Sequence, residues 1–115
     1  MIVSFAWTIE PLLAGKKTCT RRRWADRYYD QWVRAWRAGR HIHDAYDHNP
    51  RVGGHKIGTI ELTCEPYHEI LRDMPLADLA AEGGLCASRE QFIALFDGRP
   101  EMVVTVLRFE FSATT

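Results

Sequence analysis

Apolar residues recur along this chain with two different periods, and the points where the period changes mark its elements. Ile2 to Phe5 is a short apolar run that predicts a first strand. Thr8 can cap a short helix that tolerates Pro11 in its first turn, with Leu12 and Leu13 as core anchors and Gly15 as the stop. Thr18-Cys19-Thr20 then alternates like a strand that runs to about Arg23. From Trp24 to Trp36 the period lengthens. Tyr28, Tyr29, Trp32, Val33 and Trp36 recur at spacings of three and four, with Arg27, Asp30, Arg34 and Arg37 between them, which predicts an amphipathic helix of about three turns.

Residues 40 to 48 read as a strand entering a loop, and Asn49 to Gly54 is a loop by composition. Lys56 to Cys64 alternates again, with Ile60 and Leu62 on its apolar side and a bulge or close backbone approach at Gly58. Pro66 ends that strand, and Tyr67 to Leu71 is expected to be a short bridging turn or helix. Met74 to Gly84 reads as a short helix stopped by glycines. Ser88 to Phe96 is a Ser-capped helix burying Phe92, Ile93, Leu95 and Phe96. Met102 to Phe111 is a β-branched and aromatic closing strand, and 113–115 a frayed tail. The resulting order, β-α-β-α-β-β-α-α-β, predicts an α+β protein in which helices surround one small, curved mixed sheet or barrel.

Composition sharpens this. At 115 residues with nearly half of them hydrophobic, the chain is expected to be a single folded domain, 1–115. Net charge is zero but segregated: residues 15 to 56 hold 11 Lys/Arg against 4 Asp/Glu, a net of +7, and the remainder carries the compensating −7. Such a basic segment suits an anionic partner such as a phosphate backbone or nucleotide, and equally a dipolar surface with no ligand. Cys19, Cys64 and Cys86 are odd in number and widely spaced, as free thiols of a reducing compartment would be. Met1 to Ala14 is apolar but short and carries Glu10, so neither a signal peptide nor a membrane span is expected, and the predicted location is cytoplasmic. His41 and His43 share a strand face with His48 and His55 nearby, but the spacing fits no zinc template, so no metal or other cofactor is expected.

The densest chemistry lies at 15–22, where four cations and two hydroxyls fall within eight residues at a helix-to-strand junction. A threonine hydroxyl needs a base to become a nucleophile, and a lysine can serve if burial and neighbouring positive charge lower its pKa. Lys17 and Thr20 are that pair, provided Lys17 lies in the turn; within a strand they would face opposite ways. A solvated surface with ordinary strand threonines is the alternative. Glu82, at the C-terminal end of its helix, is unfavourably placed against the helix dipole, a mild cost that makes sense if it works on another group; an ordinary exposed Glu is the alternative, and the one that the sequence alone favours. Trp24 or Tyr28 can offer a stacking face to a base or simply pack on the sheet, and the glycines beside Arg51 would let backbone amides approach a ligand or simply form a plain turn between strands.

The run Gly15, Lys17, Thr18, Thr20, Arg22 resembles the Gly-x-Lys-Thr-x-Thr-x-Arg signature of ASCH domains. Ser4-Phe5, Lys56 to Ile60, Ala81-Glu82-Gly83 and Arg108-Phe109-Glu110 resemble other pieces of that family in the right order, so the resemblance spans nearly the whole chain. It implies a PUA-like β-barrel. It also implies the activity of the small bacterial members that hydrolyse N4-acetylcytidine, with Lys17, Thr20 and Glu82 as the catalytic set and a modified cytosine nucleoside as substrate. Thr18, Arg22, Arg51, Trp24 and Ser4 are the expected substrate contacts. The long 24–36 helix and the 49–54 loop depart from the shortest of those enzymes. PUA-like domains also commonly bind RNA, so an RNA-binding module using the basic segment 16–56, with or without ribonuclease activity, is the other function the resemblance implies.

Overall fold

The computed structural model describes residues 1–114. Its strands are β1 (Ile2–Ser4), β2 (Cys19–Arg22), β3 (Ile42–Tyr46), β4 (Lys56–Leu62), β5 (Tyr67–Ile70) and β6 (Val103–Ala113). Its α-helices are α1 (Ile9–Leu13), α2 (Asp26–Arg37), α3 (Asp78–Ala81) and α4 (Arg89–Ala94), and short 3-10 turns cover Pro50–Val52 and Leu71–Asp73.

Everything in the sheet is organised on β6. Its C-terminal half pairs antiparallel with β4, which pairs with β3, which in turn pairs in parallel with β1. The N-terminal half of β6 lies between β2 and β5, antiparallel to both. Leu62 is opposite Phe109 and Tyr67 is opposite Val106, so β4 and β5 use five steps of chain where β6 uses three. The two extra residues lie in the bend between Leu62 and Tyr67, and the result is a curled half-barrel with helices packed around it.

Tyr67 to Leu71 therefore differs from its expected bridging turn or helix: Tyr67–Ile70 is a strand, and a 3-10 turn starts only at Leu71. Its pairing partner is more than 30 residues away, so no local pattern announced it. The closing strand also runs further than expected, taking in Ala113. At Gly58 both expected features occur. The β3–β4 register shifts beside it, and a Cβ on Gly58 would lie 2.2 Å from the Ser112 carbonyl oxygen on β6.

Two apolar clusters form the interior. The larger joins Val3, Phe5, Leu12, Trp32, Ile60, Leu107 and Phe109, and α2 closes it. Full burial of a side chain such as Phe5 or Phe109 stabilises by about 1.5–3 kcal/mol. The smaller one, Leu71, Met74, Phe92, Met102 and Val104, sits under α3 and α4. Strand β2 ends the sheet, and its free edge borders the gap between α1 and the α3–α4 region.

Candidate active site

Gly15 adopts a left-handed φ of +74° that stops α1, and the amides of Lys16 and Lys17 both turn back to the Pro11 carbonyl. Strand β2 begins only at Cys19, so Lys17 lies in the turn and its side chain is free of the strand's alternation. It is 3% exposed. Its ammonium donates to the Glu82 backbone carbonyl at 2.6 Å and to Glu82 Oε1 at 3.2 Å. Glu82 arrives there because α3 is a single turn halted by Gly83 and Gly84, both at positive φ. A cation thus sits against the exposed carbonyl at the C-terminal end of α3, and the carboxylate that was badly placed for the helix dipole is matched by it.

On β2, Thr20 and Arg22 share a face. Arg22 Nε donates to Thr20 Oγ1 at 3.1 Å and Nη2 to the Ser4 carbonyl at 2.7 Å, with the guanidinium 5.3 Å from the centre of the Phe5 ring. Since the Thr20 oxygen accepts from Arg22, its own proton is available to another acceptor. Arg21 leaves the strand on the opposite side. It donates to Glu69 at 2.8 and 3.2 Å, to Glu82 Oε2 at 3.0 Å and to Asp78. Arg108 adds a forked pair to Asp78 and donates to the Tyr67 hydroxyl. Lys17, Arg21 and Arg108 thus face Glu69, Asp78 and Glu82, three cations against three carboxylates, in a largely buried cluster.

The electrostatics divide along the same line. Burial, helped by the Arg22 charge, lowers the Lys17 pKa below its ordinary value although Glu82 opposes it. Burial likewise lowers that of Arg22. Arg21 loses by desolvation, but the hydrogen bonds it donates to Glu69 and Asp78 outweigh that and shift its pKa upward. For Asp78, burial alone would raise the pKa, but Arg108 and Arg21 hold it below the usual carboxylate value. Burial and the Glu82 charge push the Cys19 thiol up to about 12, so it is not a thiolate nucleophile at neutral pH.

These groups border a half-open cleft of about 340 Å³. Ser4, Lys17, Thr20, Arg21, Arg22 and Glu82 supply its polar lining, and Leu79, Phe92 and Phe96 line an apolar wall. Of the residues expected at a site, Lys17, Thr20, Glu82, Arg22 and Ser4 are brought together here, while Thr18, Trp24 and Arg51 are not. Thr18 precedes the ladder rather than alternating within it. Its amide donates to the Ala81 carbonyl, its carbonyl accepts from Phe109, and its side chain points to solvent. Trp24 stacks on Trp32 with ring centres 5.2 Å apart and meets Tyr28 edge-on, so the helix core uses its face. The spacing of four through Trp24, Tyr28 and Trp32 already put it in that stripe. Arg51 lies exposed in the turn Pro50–Val52, and the amides of Gly53 and Gly54 are spent on the Pro50 and Asn49 carbonyls.

The histidines are dispersed. His43 is buried against Trp32, His41 stacks on Trp36, and the backbone amides of His48 and His55 both bind Asp47. Among the described residues no group of His, Cys, Asp and Glu side chains could hold a metal ion, and no helix is long and apolar enough to cross a membrane. Sequence reading missed Arg21 as a buried residue, Glu69 and Asp78 as its partners, Arg108 as the second cation on Asp78, and Trp7 at the cleft mouth. The one available signal was that Arg21 and Cys19 share strand parity while Thr20 and Arg22 share the other. No family model, no curated protein and no solved structure matches this chain.

Proposed function

We propose that the chain is an ASCH-type, PUA-like domain that hydrolyses the amide of N4-acetylcytidine or a related N4-acylated cytosine nucleoside. The observation that carries this is the Lys17–Glu82 contact, 3.2 Å, in one cleft with Thr20. Lys17, with its lowered pKa, takes the Thr20 hydroxyl proton as Thr20 Oγ1 attacks the acyl carbon. The C–N bond breaks, the departing cytosine amine takes that proton from Lys17, and the acyl group stays on Thr20. Water then attacks the ester. Lys17 accepts the water's proton and returns it to Thr20 as the carboxylic acid leaves. Glu82 holds the Lys17 nitrogen in place through its carboxylate and its carbonyl. Arg22, whose Nη1 makes no hydrogen bond among the described residues, is the donor for the oxyanion. The three free cysteines suit a cytoplasmic setting.

The test is incubation of the purified protein with N4-acetylcytidine beside the Lys17→Ala and Glu82→Ala variants. Cytidine and acetate are expected from the parent protein only. Intact substrate with the parent protein rejects the function, and full activity in either variant rejects the mechanism.

One observation favours RNA binding as a second reading. Arg27, Arg34, Arg40 and Arg51 are exposed and make no ion pair among the described residues, against the likewise exposed and unpaired Asp26 and Asp30, so the 16–56 segment keeps a net positive surface charge. A gel shift with short RNAs that is present at low salt and lost at high salt is the expected result. No shift at low salt rules this out.

A further inference from the structure

Trp7 occupies an unusual position. The protein has four tryptophans. Trp24 and Trp32 stack on each other and Trp36 stacks on His41, while Trp7 is 74% exposed and makes no aromatic contact among the described residues. It lies in a tight turn closed by the Thr8 amide on the Phe5 carbonyl, and buried Phe5 and Leu12 anchor the turn on either side. Gly83, next to Glu82, packs closely on Thr8 and on Pro11 of α1: a Cβ there would lie 3.3 Å from each. Trp7 is therefore a large apolar plate on an anchored turn at the mouth of a cleft whose floor is Lys17, Thr20, Arg22 and Glu82.

Resting on the function proposed above, we infer that Trp7 is the platform on which the pyrimidine ring stacks, with the N4-amide edge directed to Thr20 and Lys17. A nucleobase has the matching chemistry. Its faces are apolar and polarisable, so they suit an indole, while its edge is polar and suits the floor. This is the stacking role that the sequence alone offered to Trp24, whose face is taken.

The experiment measures N4-acetylcytidine hydrolysis and cytidine quenching of tryptophan fluorescence in the parent protein, Trp7→Ala and Trp7→Phe. Trp7→Ala is expected to raise KM about tenfold, the order lost with one base–aromatic stack, while kcat changes less than about threefold. Trp7→Phe should recover most of the KM yet lose the quench, because the remaining tryptophans are packed away from the cleft. A KM for Trp7→Ala within about twofold of the parent value overturns the platform and leaves the hydrolase standing. A Trp7-dependent cytidine quench without turnover keeps the platform and rejects the hydrolase. Neither turnover nor quench in the parent protein rejects both.

Discussion

Arg21 and Arg22 are adjacent, carry the same charge and leave β2 on opposite sides. Arg21 is saturated: every nitrogen of its guanidinium has an acceptor, and the carboxylates of Glu69, Asp78 and Glu82 surround it. Arg22 meets one hydroxyl and one carbonyl and keeps a nitrogen for the cleft. Opposite pKa directions follow, upward for the first and downward for the second. A cation enclosed by anions holds structure and has no capacity left for a ligand. A cation short of partners is costly to keep, and its spare capacity is what a substrate can use. Glu82 links the two sides, with Oε2 on Arg21 and Oε1 on Lys17.

Substitutions can break this division. The largest effect is expected from Asp78→Ala, which leaves Arg21 and Arg108 without their shared carboxylate. Denaturant unfolding should show a loss of roughly 2–3 kcal/mol, the cost of leaving charged donors unpaired, held below that of an orphaned charge because Arg21 keeps Glu69 and Glu82 and Arg108 keeps Tyr67. A loss below about 1 kcal/mol would mean that the cluster is not structural. Lys17→Ala tests the other side. Turnover of N4-acetylcytidine should fall by about 10²–10⁴, as for loss of a general base. Stability should drop only about 1–2 kcal/mol, because Glu82 keeps Arg21.

The pH dependence sharpens the contrast. Lys17 must be neutral to accept a proton, so kcat/KM rises with pH through its folded pKa, which lies below the ordinary 10.5. Arg22 is one of the charges holding that value down, so Arg22→Gln should move the rising limb to higher pH. An unmoved limb would assign it to another group. The smallest effect belongs to neither side. His43, buried under Trp32, has its pKa lowered from 6.5 to about 4 by burial and then by the neighbouring N-terminal ammonium. Below pH 6.5 the unfolded chain binds a proton that the native state resists, so stability falls as pH drops from 6.5 towards 4. His43→Gln should remove that slope, which must be subtracted before any pH effect on stability is assigned to β2. An unchanged slope would place its origin elsewhere.

What could be read from the residues depended on whether their partners were local. The period of α2, the stop at Gly15 and the Ser88 cap are local and lie where the pattern put them. So is β4 around Gly58, whose missing side chain marked a bulge or a close backbone approach. Strand β5 was illegible because Tyr67-His68-Glu69-Ile70 lacks clean alternation and pairs with distant β6. Arg21 was illegible for the same reason. In a run of three arginines nothing distinguishes the one that Glu69, Asp78 and Glu82 will enclose from the two beside it. Trp7 sits in a turn, where a single aromatic residue belongs to no period.

The position of β6 in the chain has a consequence for how the protein is made. Strands β2, β4 and β5 all pair with it, and it is the last of the strands to leave a ribosome. Until it emerges the earlier strands have only the β1–β3–β4 ladder, and the edge bordering the cleft has no neighbour. Such long-range closure is slow. A nascent chain arrested before residue 103 should therefore expose Cys19, fully buried in the finished protein, to a thiol reagent.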